Sequence, residues 1–208
     1  MPRLWYYVFM GEGFERVSRG AGREQDESRE KLPVVYHAVS YTKTSELIEE
    51  FQPRSKHRDY PEEEVLFAAN DKEAATMFLV DSDDSWVGKS RFGDVYCEII
   101  SDEERWREAD KGGRVYALPA EKFVCEFQKG WGRCEVVSRE PVKPIAMWTK
   151  EYDSAVDAMV GSGVQVYFVD KETFRDIRRA EDKGLSILRG MQSENQKRGV
   201  NVSPLKEI

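Results

Sequence analysis

The sequence is poor in the residues that build metal sites and covalent frameworks. It holds three cysteines, Cys97, Cys125 and Cys134, with no Cys-x-x-Cys pair, and two histidines, His37 and His57. So few and so scattered, they support neither a disulfide framework nor a zinc site, and the thiols read as reduced cysteines of a cytoplasmic protein. Long hydrophobic runs are missing too. The stretch LWYYVFM near the start is short and lacks a small-residue cleavage site, which argues against both a signal peptide and a membrane span. Positive charge is in short supply: the formal net charge is -7, so the molecule as a whole repels phosphate backbones and anionic membranes.

What is present belongs to a folded domain. Hydrophobic residues make up 40% and charged residues 34%, a balance that gives a core and a well-solvated surface, and 208 residues fit one domain with appendages. A strand is expected from Leu4 to Met10, then a polar segment without apolar period up to Pro33. The stretch VVYHAVSY from Val34 reads as a strand that carries His37 in an otherwise apolar or small setting. A short helix is expected from Thr44 to Phe51, with Leu47, Ile48 and Phe51 on one face, and a loop through QPRSKHRDYPEEE.

Val65 to Ala69 reads as a strand running into a helix, which Asn70 caps with Glu73 three places on. DSDDSWVGK reads as a charged loop, and FGDVYCEII, GRVYALPA, FVCEF and RCEVVS as strands. A helix from Tyr152 to Val160, a glycine turn, the strand VQVYFVD and one amphipathic helix capped by Asp170 and carrying Phe174, Ile177, Leu185 and Leu188 complete the pattern. Roughly six or seven strands unevenly interleaved with three or four helices predict an α+β domain with mixed, mainly antiparallel sheets. The expected organisation is a leading segment 1–33, a core 34–147 and a helix-strand-helix extension 148–208.

Three places can carry chemistry. His37 lies in an apolar strand, where a lone histidine is commonly a satisfied core or edge residue, although small Ala38 after it lets a ligand approach the backbone. FAANDKEAATMF starts a helix with small residues, which ordinary close packing also explains. Glu135 is a carboxylate inside a strand, either facing outward or held in a pocket for function.

The order of these features resembles the ADP-ribosyltransferase fold, whose members include poly(ADP-ribose) polymerases, DNA-modifying ADP-ribosylating toxins and, more distantly, RNA 2′-phosphotransferases. The matching pieces are Tyr36-His37-x-x-Ser40, the strand-to-helix run Leu66-Phe67-Ala68, and Cys134-Glu135-Val136-Val137 with its proline-bearing exit. The resemblance implies a split sheet and NAD as co-substrate, with no metal. It implies that His37 hydrogen-bonds a ribose hydroxyl, that the Ala38 backbone holds the nicotinamide carboxamide, and that Glu135 is the catalytic carboxylate.

Tyr36, Ser40, Tyr41, Phe67, Ala68, Ala74, Met77 and Phe78 would complete the dinucleotide site. Polymerase-type members carry a tyrosine where this chain has Leu66 and a serine where it has Ala74, so transfer of a single ADP-ribose is the expected reaction, to a protein, nucleic acid or small-molecule acceptor. The competing expectation is a non-catalytic module that uses the same face, or the basic helix around Arg175, Arg178 and Arg179, to hold a protein or nucleic-acid partner. An RNA 2′-phosphotransferase-like activity is a third reading within the same fold.

Overall fold

Alternation in VVYHAVS makes the central strand two-faced: Val35 and Val39 enter one core, while Tyr36 and Ala38 pack against another. A computed structural model describes residues 34–57, 60–126, 135–197 and 205 of the chain. The strand expected at 4–10 and the polar segment after it lie outside the described residues. The strands are β1 Val34–Ser40, β2 Ser55–His57, β3 Tyr60–Ala69, β4 Val87–Phe92, β5 Val95–Ile100, β6 Gly113–Pro119, β7 Glu135–Ser138, β8 Lys150–Tyr152 and β9 Gln165–Phe168. The helices are α1 Lys72–Thr76, α2 Glu103–Ala109, α3 Ala155–Ser162, α4 Lys171–Arg179 and α5 Leu185–Lys197.

A six-stranded sheet runs β2-β3-β1-β6-β8, with β7 also paired to β3. β1 and β6 are antiparallel along their whole length, from Val34 opposite Pro119 to Ser40 opposite Gly113. Gly113 is required there, because a Cβ would stand 2.3 Å from the Val39 carbonyl oxygen. A three-stranded sheet, β4-β5-β9, is antiparallel at the β4–β5 hairpin and parallel between β5 and β9. The protein is therefore α+β, with two mainly antiparallel sheets.

Among the described residues three large cores, and a small one of Tyr60, Val65 and Val137, hold it together. Between the sheets, Ala74 of α1, Met77 at its C-cap and Met159 of α3 join a cluster with Trp86, Ile100 and Trp106. The opposite face of the large sheet buries Val35, Leu66, Tyr116 and Val136 under Phe51 and Val142. The far face of the small sheet is covered by α4 and α5 through Phe174, Ile177 and Leu188. No helix among the described residues is long and apolar enough to cross a membrane.

Several local expectations are corrected. Residues 44–51 form no helix: the Ile48 N–H donates to the Tyr116 hydroxyl at 3.1 Å and Phe51 exchanges backbone bonds with Val142, so tertiary partners replace the helical ladder and Leu47 is left exposed. The segment expected as a loop after Gln52 contains β2 and the start of β3, which pair as a hairpin. FGDVYCEII is not one strand but the turn and second arm of the β4–β5 hairpin, reversed at Gly93 with φ 63°. FVCEF yields a bridge between Val124 and Val137 rather than a strand.

Helix α1 is capped at Asp71, not Asn70, and without a side-chain bond. The long final helix is two, broken where Lys183 and Gly184 take left-handed conformations. At Gly184 a Cβ would stand 2.5 Å from the Ile177 side chain, so α5 starts in a new direction.

Candidate active site

The three motif segments, distant in sequence, are adjacent strands in the order β1, β3, β7. Tyr36 stands opposite Ala69 across β1 and β3, and Ala69 stands opposite Glu135 across β3 and β7. One row therefore crosses three strands, and its ends are about 10 Å apart at two strand spacings. Residues in such a row share a face, so the Glu135 carboxylate is on the side of Tyr36 and Ala69.

Ala38 is on that side as well, two residues along β1, and α1 packs there, with Ala74 and Met77 in the same core as Tyr36 and Ala38. By the same alternation Phe67 points to this side further along β3, where it packs edge-on to Tyr60. Tyr36, Ala38 and Glu135 are half-buried, whereas Ala74 and Met77 have no accessible surface. The accessible part of this face is thus a shallow lip of aromatic ring, small residue and carboxylate, with the α1 side chains sealed beneath.

His37 points the other way. Its ring meets Phe51 edge-on at 4.8 Å, and Phe51 meets Tyr116 edge-on at 4.9 Å, in the core that also holds Ala68. The Nδ1–H donates to the Phe67 carbonyl at 2.6 Å, which makes Nε2 the unprotonated nitrogen. Burial pushes the His37 pKa down to about 4, against the bond to Phe67 and with help from the Lys43 charge, so the imidazole is neutral at physiological pH. Among the described residues β1 and β3 meet in register at one pair, Tyr36 with Ala69, and the His37 ring spans the two strands just beyond it. The two residues expected to work as a pair, His37 on β1 and Glu135 on β7, are separated by β3 and lie on opposite faces of the sheet.

The remaining expected residues disperse. Ser40 is buried, and its hydroxyl accepts from the Thr42 N–H at 3.2 Å and the Thr42 hydroxyl at 2.9 Å, closing the turn after β1. Tyr41 lies under the Arg114 guanidinium, 5.2 Å from its ring centre; burial raises its phenol pKa and Arg114 opposes that. Phe78 is 41% exposed, with the Lys89 ammonium 5.2 Å from its ring.

Sequence reasoning missed one ionisable group altogether. Glu98 on β5 is completely buried, neither carboxylate oxygen accepts a hydrogen bond, and Lys89 Nζ is 3.6 Å away. Burial drives its pKa up to about 7 even though Lys89 pulls it down. The signal was available: a glutamate in VYCEII, where both alternating faces otherwise read as apolar.

Among the described residues no group of three or more His, Cys, Asp or Glu side chains converges as a metal site would require. Compared with protein-family models, characterised proteins and solved structures, the chain matches none of them.

Proposed function

We propose that the chain is a cytoplasmic NAD-dependent mono-ADP-ribosyltransferase that binds the dinucleotide along the Tyr36–Ala69–Glu135 row. One observation carries the reading: the three motif segments that resemble that family are neighbouring strands, with an accessible carboxylate at one end of the row and an aromatic ring at the other. Breaking the bond between nicotinamide and ribose sends the bonding electrons out with nicotinamide and leaves positive charge developing on the sugar. A fixed carboxylate beside that sugar stabilises the charged transition state more than the ground state, and it can then take the proton of the incoming nucleophile.

Tyr36 offers the flat face that nicotinamide needs, and Ala38 leaves the β1 backbone approachable. His37 is a positioning residue on this reading: its bond to the Phe67 carbonyl holds β3 against β1 and so sets the spacing between Tyr36 and Glu135. Where polymerases carry tyrosine and serine, this chain has Leu66, packed into the opposite core, and Ala74, which has no accessible surface; neither supplies a polymerase-type clamp, which favours a single transfer over chain growth.

The buried state of Ala74 and Met77 favours a second reading, in which the face holds a protein or nucleic-acid partner without turnover. Release of nicotinamide from NAD, measured for the wild type and Glu135→Gln, separates the two. Transfer chemistry predicts a loss of about 100-fold or more in the variant, with NAD still raising the melting temperature of both proteins. Equal turnover in the variant removes Glu135 from the mechanism. Absence of both turnover and a thermal shift in the wild type leaves the binding reading.

A further inference from the structure

Away from this row, a cavity of about 250 Å³ opens on the face of the small sheet that α4 covers. Gly88 and Ile99, partners in register across β4 and β5, form its floor, Phe174 of α4 its wall, and Asp84, Arg178 and Lys183 its mouth. Gly88 keeps this floor low: a Cβ there would touch the Phe174 ring at 3.4 Å. Glycine inside a strand costs stability, and close approach of another group is a usual reason for it.

The mouth is cationic and held in place. The Arg178 guanidinium donates to the backbone carbonyl of Asp84 and lies 5.8 Å from the centre of the Phe174 ring. That partner is neutral, so the charge of Arg178 is not cancelled by it. Lys183 is carried on the left-handed turn between α4 and α5, which Gly184 presses against Ile177, so its backbone position is fixed. Lys89 also lines the cavity, with its ammonium 3.6 Å from the Glu98 carboxylate; that leaves Arg178 and Lys183 against the one carboxylate of Asp84, which suits a ligand of single negative charge and disfavours a dianion.

We propose that this cavity binds a small carboxylic acid with a compact apolar body, its carboxylate on Arg178 and Lys183 and its body against Phe174 and Ile99. A planar guanidinium matches a carboxylate in bidentate fashion. The volume lies below the usual range of drug-sized sites, so the ligand has about ten non-hydrogen atoms.

The test is a titration of the full chain with phenylacetate, followed by amide NMR, with phenethylamine as the same ring of opposite charge and inorganic phosphate as the dianion. Millimolar phenylacetate is expected to move resonances of residues 87–90 and 174–183, while the amine and phosphate leave them in place. Arg178→Gln and Gly88→Val should each weaken binding by about tenfold or more. Gly88→Val keeps every charge and decides the matter if Arg178→Gln unfolds. No response to phenylacetate, an equal response to either of the other two probes, or unchanged affinity in the folded variants overturns the assignment.

Discussion

Lys89 and Glu98 face each other across β4 and β5, the ammonium 3.6 Å from a carboxylate that has no accessible surface and accepts no hydrogen bond. Taking a carboxylate out of water costs several kcal/mol, and one ammonium at this distance offsets only part of that. The folded protein therefore favours the protonated acid, with a pKa of about 7 against 4.5 for the free side chain. A raised acid pKa means that the folded state holds the proton longer than the unfolded chain, so stability is greatest below 4.5 and declines as pH climbs through 7.

That shift corresponds to about 3 kcal/mol. In urea titrations, Glu98→Gln is expected to remove the Glu98 contribution to the pH dependence, leaving stability between pH 4.5 and 7 to the remaining groups. Lys89→Met should cost about 3–5 kcal/mol at pH 8 and little at pH 5, since removing one partner leaves the other charge buried alone. Equal destabilisation at both pH values would show that Lys89 matters through packing and not through charge.

His37 has the opposite slope. Its pKa falls from 6.5 to about 4, so its contribution is complete above 6.5 and disappears as pH drops through 4. The magnitude is again about 3 kcal/mol. Between pH 4.5 and 6.5 the two residues nearly cancel, and wild-type stability is expected to be flat there. Glu98→Gln should uncover a rise with pH in that window, and His37→Asn a fall. Imidazole NMR provides the direct check: the resonance that vanishes in His37→Asn should not titrate above pH 5.

Cys97 has no accessible surface, and burial lifts its thiol pKa to about 12, with the neighbouring Glu98 adding to the shift. Without thiolate it is a poor nucleophile. Pulse alkylation of the native protein read by mass spectrometry should leave Cys97 unmodified while the half-buried Cys125 reacts, and denaturant should expose both. Alkylation of Cys97 at the rate of Cys125 would contradict its placement.

Asp110 ties the loop before β6 to the start of α3. Its carboxylate accepts from the N–H groups of Ala155 at 2.7 Å and Gly112 at 3.0 Å, and from the Ser154 hydroxyl at 3.0 Å. Asp110→Ala orphans those donors and should cost about 2 kcal/mol, with Asp110→Asn costing less because one acceptor oxygen survives. Melting curves of the two variants give the comparison.

Much of the fold could be read locally. VVYHAVS and EVVS declare themselves by their branched, apolar residues, and Asp170 caps α4 as expected, accepting from the Thr173 N–H at 2.7 Å. Helix α2 was invisible because EERWREA buries only Trp106 and so has no apolar period. The β4–β5 hairpin was obscured because its turn, Gly93-Asp94, sits between residues that are good strand formers on both sides. In the site, the motifs marked β1, β3 and β7, but the faces depend on register, which is nonlocal. His37 and Glu135 look equivalent in a one-dimensional reading, and only the pairing of Ala69 with both Tyr36 and Glu135 separates them.

The strands β8 and β9 lie close together in sequence, yet one completes the edge of the large sheet beside β6 and the other the edge of the small sheet beside β5. A growing chain that has emerged only through β7 consequently offers open hydrogen-bonding edges on both sheets at once. Those edges are sticky. Synthesis of this protein should therefore stay prone to aggregation until β9 and the helices α4 and α5 that cover the small sheet have emerged, and a chain truncated before β9 is expected to give a larger insoluble fraction than the full chain.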